Sequence, residues 1–265
     1  MKNLIILFVL IFPMLGKSVD YVTGCRADIN LDVDSVSIPL SIYTNGLVAW
    51  FDFSSGALGT GTTNFLVAGF STNRLNMTQP IINSQPLVVS NQYVLGDGID
   101  DRLLVSTPSL SNVTYAILLK FPDAQVTSRK AIFGGKSDAN YYKRDSAQFL
   151  IPADGLLNAI IWRGGTITNV AGAQVILYFS TNHYGTWQWI VFRESSTSVK
   201  KINTLLSSAS QSSTPLEYTR NVEFLLWAHI TVGSFSDIPI ASFLVWNHFL
   251  TDDETTAVLN LRKPQ

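Results

Sequence analysis

Apolar and polar residues alternate along much of this chain, the repeat of two that sends successive side chains to opposite faces of a β-strand. Strand-like runs fall at residues 47–53 (LVAWFDF), 115–121 (YAILLKF), 156–162 (LLNAIIW), 175–179 (VILYF) and 186–193 (TWQWIVFR). All are rich in β-branched or aromatic residues, which fit a pleated, half-buried surface. An earlier run sets Asp28, Asn30, Asp32 and Asp34 against Ile29, Leu31 and Val33, predicting a strand with one wet face. Residues 223–232 and 240–249 are apolar almost throughout, which predicts strands covered on both faces.

Between these runs lie Gly, Ser, Asn, Asp and Pro clusters at residues 53–64, 134–140 and 207–217, which read as turns and surface loops. Only the C-terminus carries a helix signal. Thr251 is followed three residues later by Glu254, a pair that can satisfy the free amides of a helix start. Ala257, Val258 and Leu261 then give an apolar side, and Arg262 and Lys263 suit the negative end of the dipole before Pro264. The expectation is an all-β, two-sheet antiparallel sandwich with a short helix over residues 252–262.

Composition narrows this picture. With 265 residues, 46% hydrophobic and 11% aromatic, the chain can bury a large core, and no repeat or linker divides it. A net charge of -1 with 14% charged residues supplies no field for phosphates, so nucleic acid is not an expected partner. Residues 1–18 have Lys2, an apolar stretch over 4–15 and small residues Gly16 and Ser18, the layout of a secretory leader. The expected organisation is therefore a signal peptide over 1–18, an N-terminal strand segment over 19–46 and one sandwich domain over 47–265, outside the cell. No stretch is long enough for stable membrane insertion as a helix. The single cysteine, Cys25, cannot form an intramolecular bridge. A free thiol, an intermolecular bond and lipidation within Val22-Thr23-Gly24-Cys25 stay open, as does the oligomeric state.

Three segments, in order, resemble the laminin-G-like jelly roll of the concanavalin A-like lectin/glucanase superfamily: residues 94–105 (VLGDGIDDRLLV), the tryptophan-led strand and hairpin over 185–210, and 238–259 (IPIASFLVWNHFLTDDETTAVL). The opening strand LVAWFDFSSG is similar to that family's first strand. The turn after the tryptophan strand departs from the family pattern, with Glu194-Ser195-Ser196-Thr197 in place of a glycine-bearing turn. The resemblance implies a jelly-roll sandwich and, by analogy, recognition of an extracellular carbohydrate or glycoprotein. A structural role in an extracellular coat and a polysaccharide-degrading activity are the competing readings.

Residues that could carry chemistry are few. Glycoside hydrolysis needs two carboxylates at a fixed separation across the bond, and no strand carries a closely spaced acidic array, so no catalytic residue is assigned. His183, His229 and His248 are far apart with no ligand spacing, and no G-x-S-x-G elbow occurs. Asp97, Asp100 and Asp101 offer oxygens of the kind calcium takes, but an Asp-Gly turn with Arg102 as charge partner accounts for them without a cofactor. Sugars pack their C–H faces on exposed rings while amides, carboxylates and guanidinium groups orient the hydroxyls. Loop aromatics beside such groups are therefore the candidates: Asp138, Asn140, Tyr141 and Tyr142; Trp162 and Arg163; and Tyr184. Trp50, Trp187, Trp189, Trp227 and Trp246 lie within strand patterns and are assigned to the core. Asn76 and Asn112 head N-x-Thr sequons in predicted loops.

Overall fold

The computed structural model describes residues 45–53, 57–58, 65–68, 76–90, 92–106, 110, 112–135, 146–150, 158–163, 174–196, 199–212, 223–226, 228–229 and 234–261. The leader, Cys25 and the run beginning at residue 27 lie outside them, as do Asp138, Asn140, Tyr141, Tyr142 and Trp227.

Among the described residues the strands are β1 (Leu47–Asp52), β2 (Ala57–Leu58), β3 (Phe65–Ala68), β4 (Asn76–Gln79), β5 (Leu87–Val89), β6 (Tyr93–Leu95), β7 (Leu103–Ser106), β8 (Val113–Lys120), β9 (Lys130–Gly135), β10 (Ser146–Leu150) and β11 (Asn158–Arg163). They continue with β12 (Gln174–Phe179), β13 (Trp187–Glu194), β14 (Val199–Asn203), β15 (Ser208–Ser212), β16 (Glu223–Leu226), β17 (Ala228–His229), β18 (Ser234–Phe235) and β19 (Ile240–Trp246). One α-helix, α1 (Asp252–Leu259), follows.

Two antiparallel sheets result. The first runs β15-β14-β13-β8-β19-β6-β5, with β1 also paired to β19; the second runs β12-β11-β10-β9-β16-β7-β4-β3-β2. Strand β8 is the centre of the first, paired with β13 from Lys120↔Trp187 to Val113↔Glu194 and with β19 on its other side. Both central strands are buried along nearly their whole length, as near-continuous apolarity requires.

The inward residues of the two sheets form the main core. Its rings interlock at edge-to-face angles: Phe121 with Phe149 and Phe179 at 5.3 and 5.1 Å, Phe133 with Phe192 at 5.4 Å, and Trp162 with Phe192 at 5.6 Å. A second cluster covers the outer face of the first sheet, where Leu118, Trp189, Val191, Leu244 and Trp246 join Val258 and Leu259 of α1. Thr251 and Glu254 form the expected capping box: the Thr251 hydroxyl accepts from the Glu254 amide, and the Glu254 carboxylate accepts from the Thr251 amide. The buried Arg193 guanidinium ties the helix start to the sheet, donating to the Leu250 carbonyl at 2.7 Å and pairing with Asp252 at 2.7 Å. Hydrogen bonds from Arg193 and Lys201 hold the Asp252 carboxyl below its ordinary value.

Three expectations change. The apolar run over 223–232 is interrupted: β16 pairs with β7 and β9, whereas β17 leaves that sheet to pair with β18. The serine-rich stretch begun at Ser207 includes an edge strand, β15, because backbone bonds to β14 suffice there and only small side chains are needed on an exposed margin. Asn76 stands on β4, paired with Ala68 of β3, so that sequon is on a strand rather than a loop.

Candidate functional site

The two sheets meet where edge strand β12 comes against β14 and β15. Strand β12 obeys strict alternation here: Val175, Leu177 and Phe179 point into the core, so Tyr178 must face outward, where it is 45% exposed. Phe179 is fixed by the Phe121–Phe149 ring cluster, which settles the position of everything after it. The chain then closes a 3-10 turn over Thr181–His183, with the His183 amide donating to Ser180 O at 3.1 Å and the Tyr184 amide to Thr181 O at 3.1 Å. Gly185 follows at φ +65, in the left-handed region, and a side chain there would also meet the Asp123 carboxylate at 2.9 Å.

Opposite this turn is the tip of the β14–β15 hairpin. The Thr204 hydroxyl gathers it, accepting from the Leu206 and Ser207 amides at 3.3 and 3.0 Å and donating to Ser207 O at 3.1 Å. Leu205 and Leu206 are thereby turned outward, at 51% and 55% exposure. Between the two turns lies an open depression of about 370 Å³ lined by Tyr178, Phe179, Ser180, Asn182, His183, Leu206 and Ser207. Ser180 and Asn182 are exposed at its rim.

His183 joins the two walls from beneath. Its ring is buried and packs against Phe121 at 5.3 Å, with Nδ1 3.3 Å from Ser180 O and Nε2 3.3 Å from Ser207 Oγ. A carbonyl can only accept, so Nδ1 carries the proton, Nε2 is left as acceptor, and the Ser207 hydroxyl donates to it. Burial pushes the imidazole pKa down against the opposing pull of the Ser180 carbonyl, so the ring is neutral at pH 7. The groove thus presents one aromatic face, one aliphatic wall and a set of neutral amide and hydroxyl groups. That inventory suits a small polyhydroxylated ring, with C–H faces for Tyr178 and Leu206 and hydroxyls for Asn182 and Ser180.

The residues singled out in the sequence are placed differently. Trp162 is a core residue and not a loop aromatic: β11 continues through Arg163, and inward parity at position 162 leaves the indole fully buried against Phe192. Tyr184 stands beside the groove, half-buried and edge-on to Phe179 at 6.2 Å, but does not line it. Arg163 is placed by backbone alone, at the end of β11 paired with Gln174. Asn112 precedes β8, and its side-chain oxygen accepts from the Ser196 amide at 2.8 Å. Sequence reasoning missed Tyr178, although the signal was present: in VILYF the outward position near the strand end is a tyrosine, followed by Ser180 and Asn182.

The acidic turn holds Asp97, Asp100 and Asp101 with carboxylate oxygens within 4.8 Å of one another. Those oxygens serve the turn itself. Asp97 Oδ1 accepts from the amides of Ile99, Asp100 and Asp101, Asp101 Oδ2 accepts from the Asp97 amide at 2.8 Å, and Asp100 Oδ2 accepts from Ser84 Oγ at 2.8 Å. Gly98 supplies the positive φ of +76 that the turn needs. Arg102 contributes through its backbone, donating its amide to Ser84 O and accepting from Gln79 Nε2 at its carbonyl. Burial, then the neighbouring Asp97 and Asp100 charges, push the Asp101 carboxyl up to about 6 even though the Asp97 amide opposes them. For Asp97, burial is outweighed by the amides it collects, and its carboxyl is held below the ordinary value.

No protein-family model and no curated protein sequence matches the chain. Solved structures do. A Trypanosoma rangeli sialidase in complex with sialic acid superposes with a TM-score of 0.54 at 11% identity, over 84% of this chain and 34% of the sialidase. The receptor binding domain of botulinum neurotoxin C/D mosaic serotype gives 0.57 at 10% identity, over 81% of this chain and 51% of that one. The botulinum neurotoxin serotype D ligand binding domain in complex with N-acetylneuraminic acid gives 0.53 at 11% identity, over 78% and 51%. This chain therefore spans about a third to a half of those it matches. At such identities the likeness shows the fold, the concanavalin A-like jelly roll expected from the sequence.

Proposed function

We propose that this chain is an exported, non-catalytic carbohydrate-recognition domain that holds a sugar in the groove between β12 and the β14–β15 hairpin. The observation that carries the reading is Tyr178: a large ring held 45% exposed by strand parity, at the mouth of a depression rimmed by Ser180 and Asn182. An outward tyrosine on an edge strand contributes little to folding, and a sugar face is the partner its ring suits. Two of the solved structures sharing this fold hold sialic acid or N-acetylneuraminic acid, which supports a sugar as the class of ligand. Among the described lining residues no carboxylate is present, and the non-catalytic reading rests on the lack of a closely spaced acidic array in the strand sequences. Export rests on the leader-like residues 1–18.

A glycan array probed with the full chain and with Tyr178→Ala tests this. The expected result is a discrete set of bound glycans whose affinity falls about five- to tenfold in the variant. Folding stability should stay within about 0.5 kcal/mol, because the ring faces solvent. Absence of any bound glycan, or equal binding by both proteins, would overturn the proposal.

A further inference from the structure

The chemistry of the groove narrows the ligand. A carboxylated sugar brings a full negative charge, and a site that selects for it meets that charge with a cation or several convergent charged donors. Among the described lining residues none is cationic. Tyr178, Ser180, Asn182 and Ser207 offer neutral hydroxyl and amide groups and Leu206 offers hydrocarbon, while the Phe179 ring beneath them is buried in the core. The His183 imidazole has both nitrogens engaged, and the nitrogen toward the hairpin presents a lone pair rather than a proton.

The cations carried by neighbouring β13 and β14 are committed elsewhere. Lys200 faces Glu194 at 3.4 Å within the sandwich, whereas Arg193 and Lys201 meet Asp252 at 2.7 and 3.2 Å on the far side of the first sheet. Nor does the described lining include a carboxylate for the ammonium of an amino sugar. The volume, about 370 Å³, is at the lower end of the roughly 300–1,000 Å³ that small-molecule sites occupy, which suits a terminal sugar better than an extended chain.

Resting on the carbohydrate reading above, we infer that the ligand is an uncharged pyranose, stacked on Tyr178 and oriented by the Asn182 amide and Ser180 hydroxyl. The preference is thus for neutral over acidic glycans, unlike the sialic acid held in the sialidase complex sharing the fold. Because the contacts are neutral, affinity should be almost independent of ionic strength.

Calorimetric titration of the full chain provides the test, using methyl glycosides of glucose, galactose, mannose and N-acetylglucosamine. The glucuronide, the galacturonide and N-acetylneuraminic acid serve as acidic probes. The expected result is that at least one neutral glycoside binds, about fivefold or more tighter than every acidic probe. Its affinity should change less than roughly twofold between about 50 and 500 mM NaCl and should fall about five- to tenfold in Tyr178→Ala. Tighter binding of an acidic sugar, weakening as salt rises, would overturn the neutral assignment while leaving a carbohydrate site in place. Neutral binding indifferent to Tyr178→Ala would overturn the placement in this groove. Failure of every probe and of the glycan array would overturn the carbohydrate reading itself.

Discussion

Trp162 and Tyr178 stand on hydrogen-bonded neighbours, β11 and β12, and their opposite fates follow from parity alone. Trp162 shares the inward set with Ala147, Phe149 and Ile160, whereas Tyr178 is one step out of phase with Leu177 and Phe179. Trp162 beside Arg163 reads in the sequence as a loop aromatic, with Gly164-Gly165 following, yet the strand bonds run on through Arg163. Asp101 carries the residue-scale prediction. Its folded pKa of about 6 lies above the ordinary 3.8, so the folded state holds its proton more tightly than the unfolded chain. Its contribution to stability is present below pH 3.8 and is lost as pH rises through about 6. Asp101→Asn cannot ionise but keeps an acceptor for the Asp97 amide. Its urea midpoint relative to the parent should therefore rise between about pH 4 and pH 7, and a difference that is flat with pH would contradict this assignment. Asp97 has the opposite sign, stabilising above its ordinary pKa and losing that contribution on acidification.

Elements were legible where one local rule acted alone. The capping box of α1 could be read because the hydroxyl and the carboxylate lie within one turn of each other, and β1, β8, β13 and β19 because their apolar patterns are long. Strand β15 was not legible: Ser-Ala-Ser-Gln-Ser lacks a run of large hydrophobic residues, and its Ala209 packs against the main core. Its existence depends on pairing with β14, a non-local fact. The division of β16 from β17 is likewise a matter of partners and not of composition. For α1 the expected effect of Thr251→Ala is a loss of about 1 kcal/mol, since the Glu254 amide loses its acceptor at the helix start. Denaturant midpoints measure this, and a change below about 0.2 kcal/mol would mean that Arg193 and the apolar contacts hold the helix without the cap.

At the scale of the molecule, the sandwich matters because it brings residues about thirty positions apart in sequence, Tyr178 and Leu206, to one groove at the seam of two sheets. That convergence could not be read from the chain, because it depends on which edge strands come together, while the fold class could, because alternation is local. Among the described residues no helix is long and apolar enough to cross a membrane. The groove is the feature on which the proposed function rests. Amide chemical-shift mapping during titration with the best-binding glycan measures it most directly. The shifted amides should cluster at Tyr178–His183 and at Leu205–Ser207, with core positions such as Ile117 and Phe192 unmoved. Shifts centred on any other surface would contradict it.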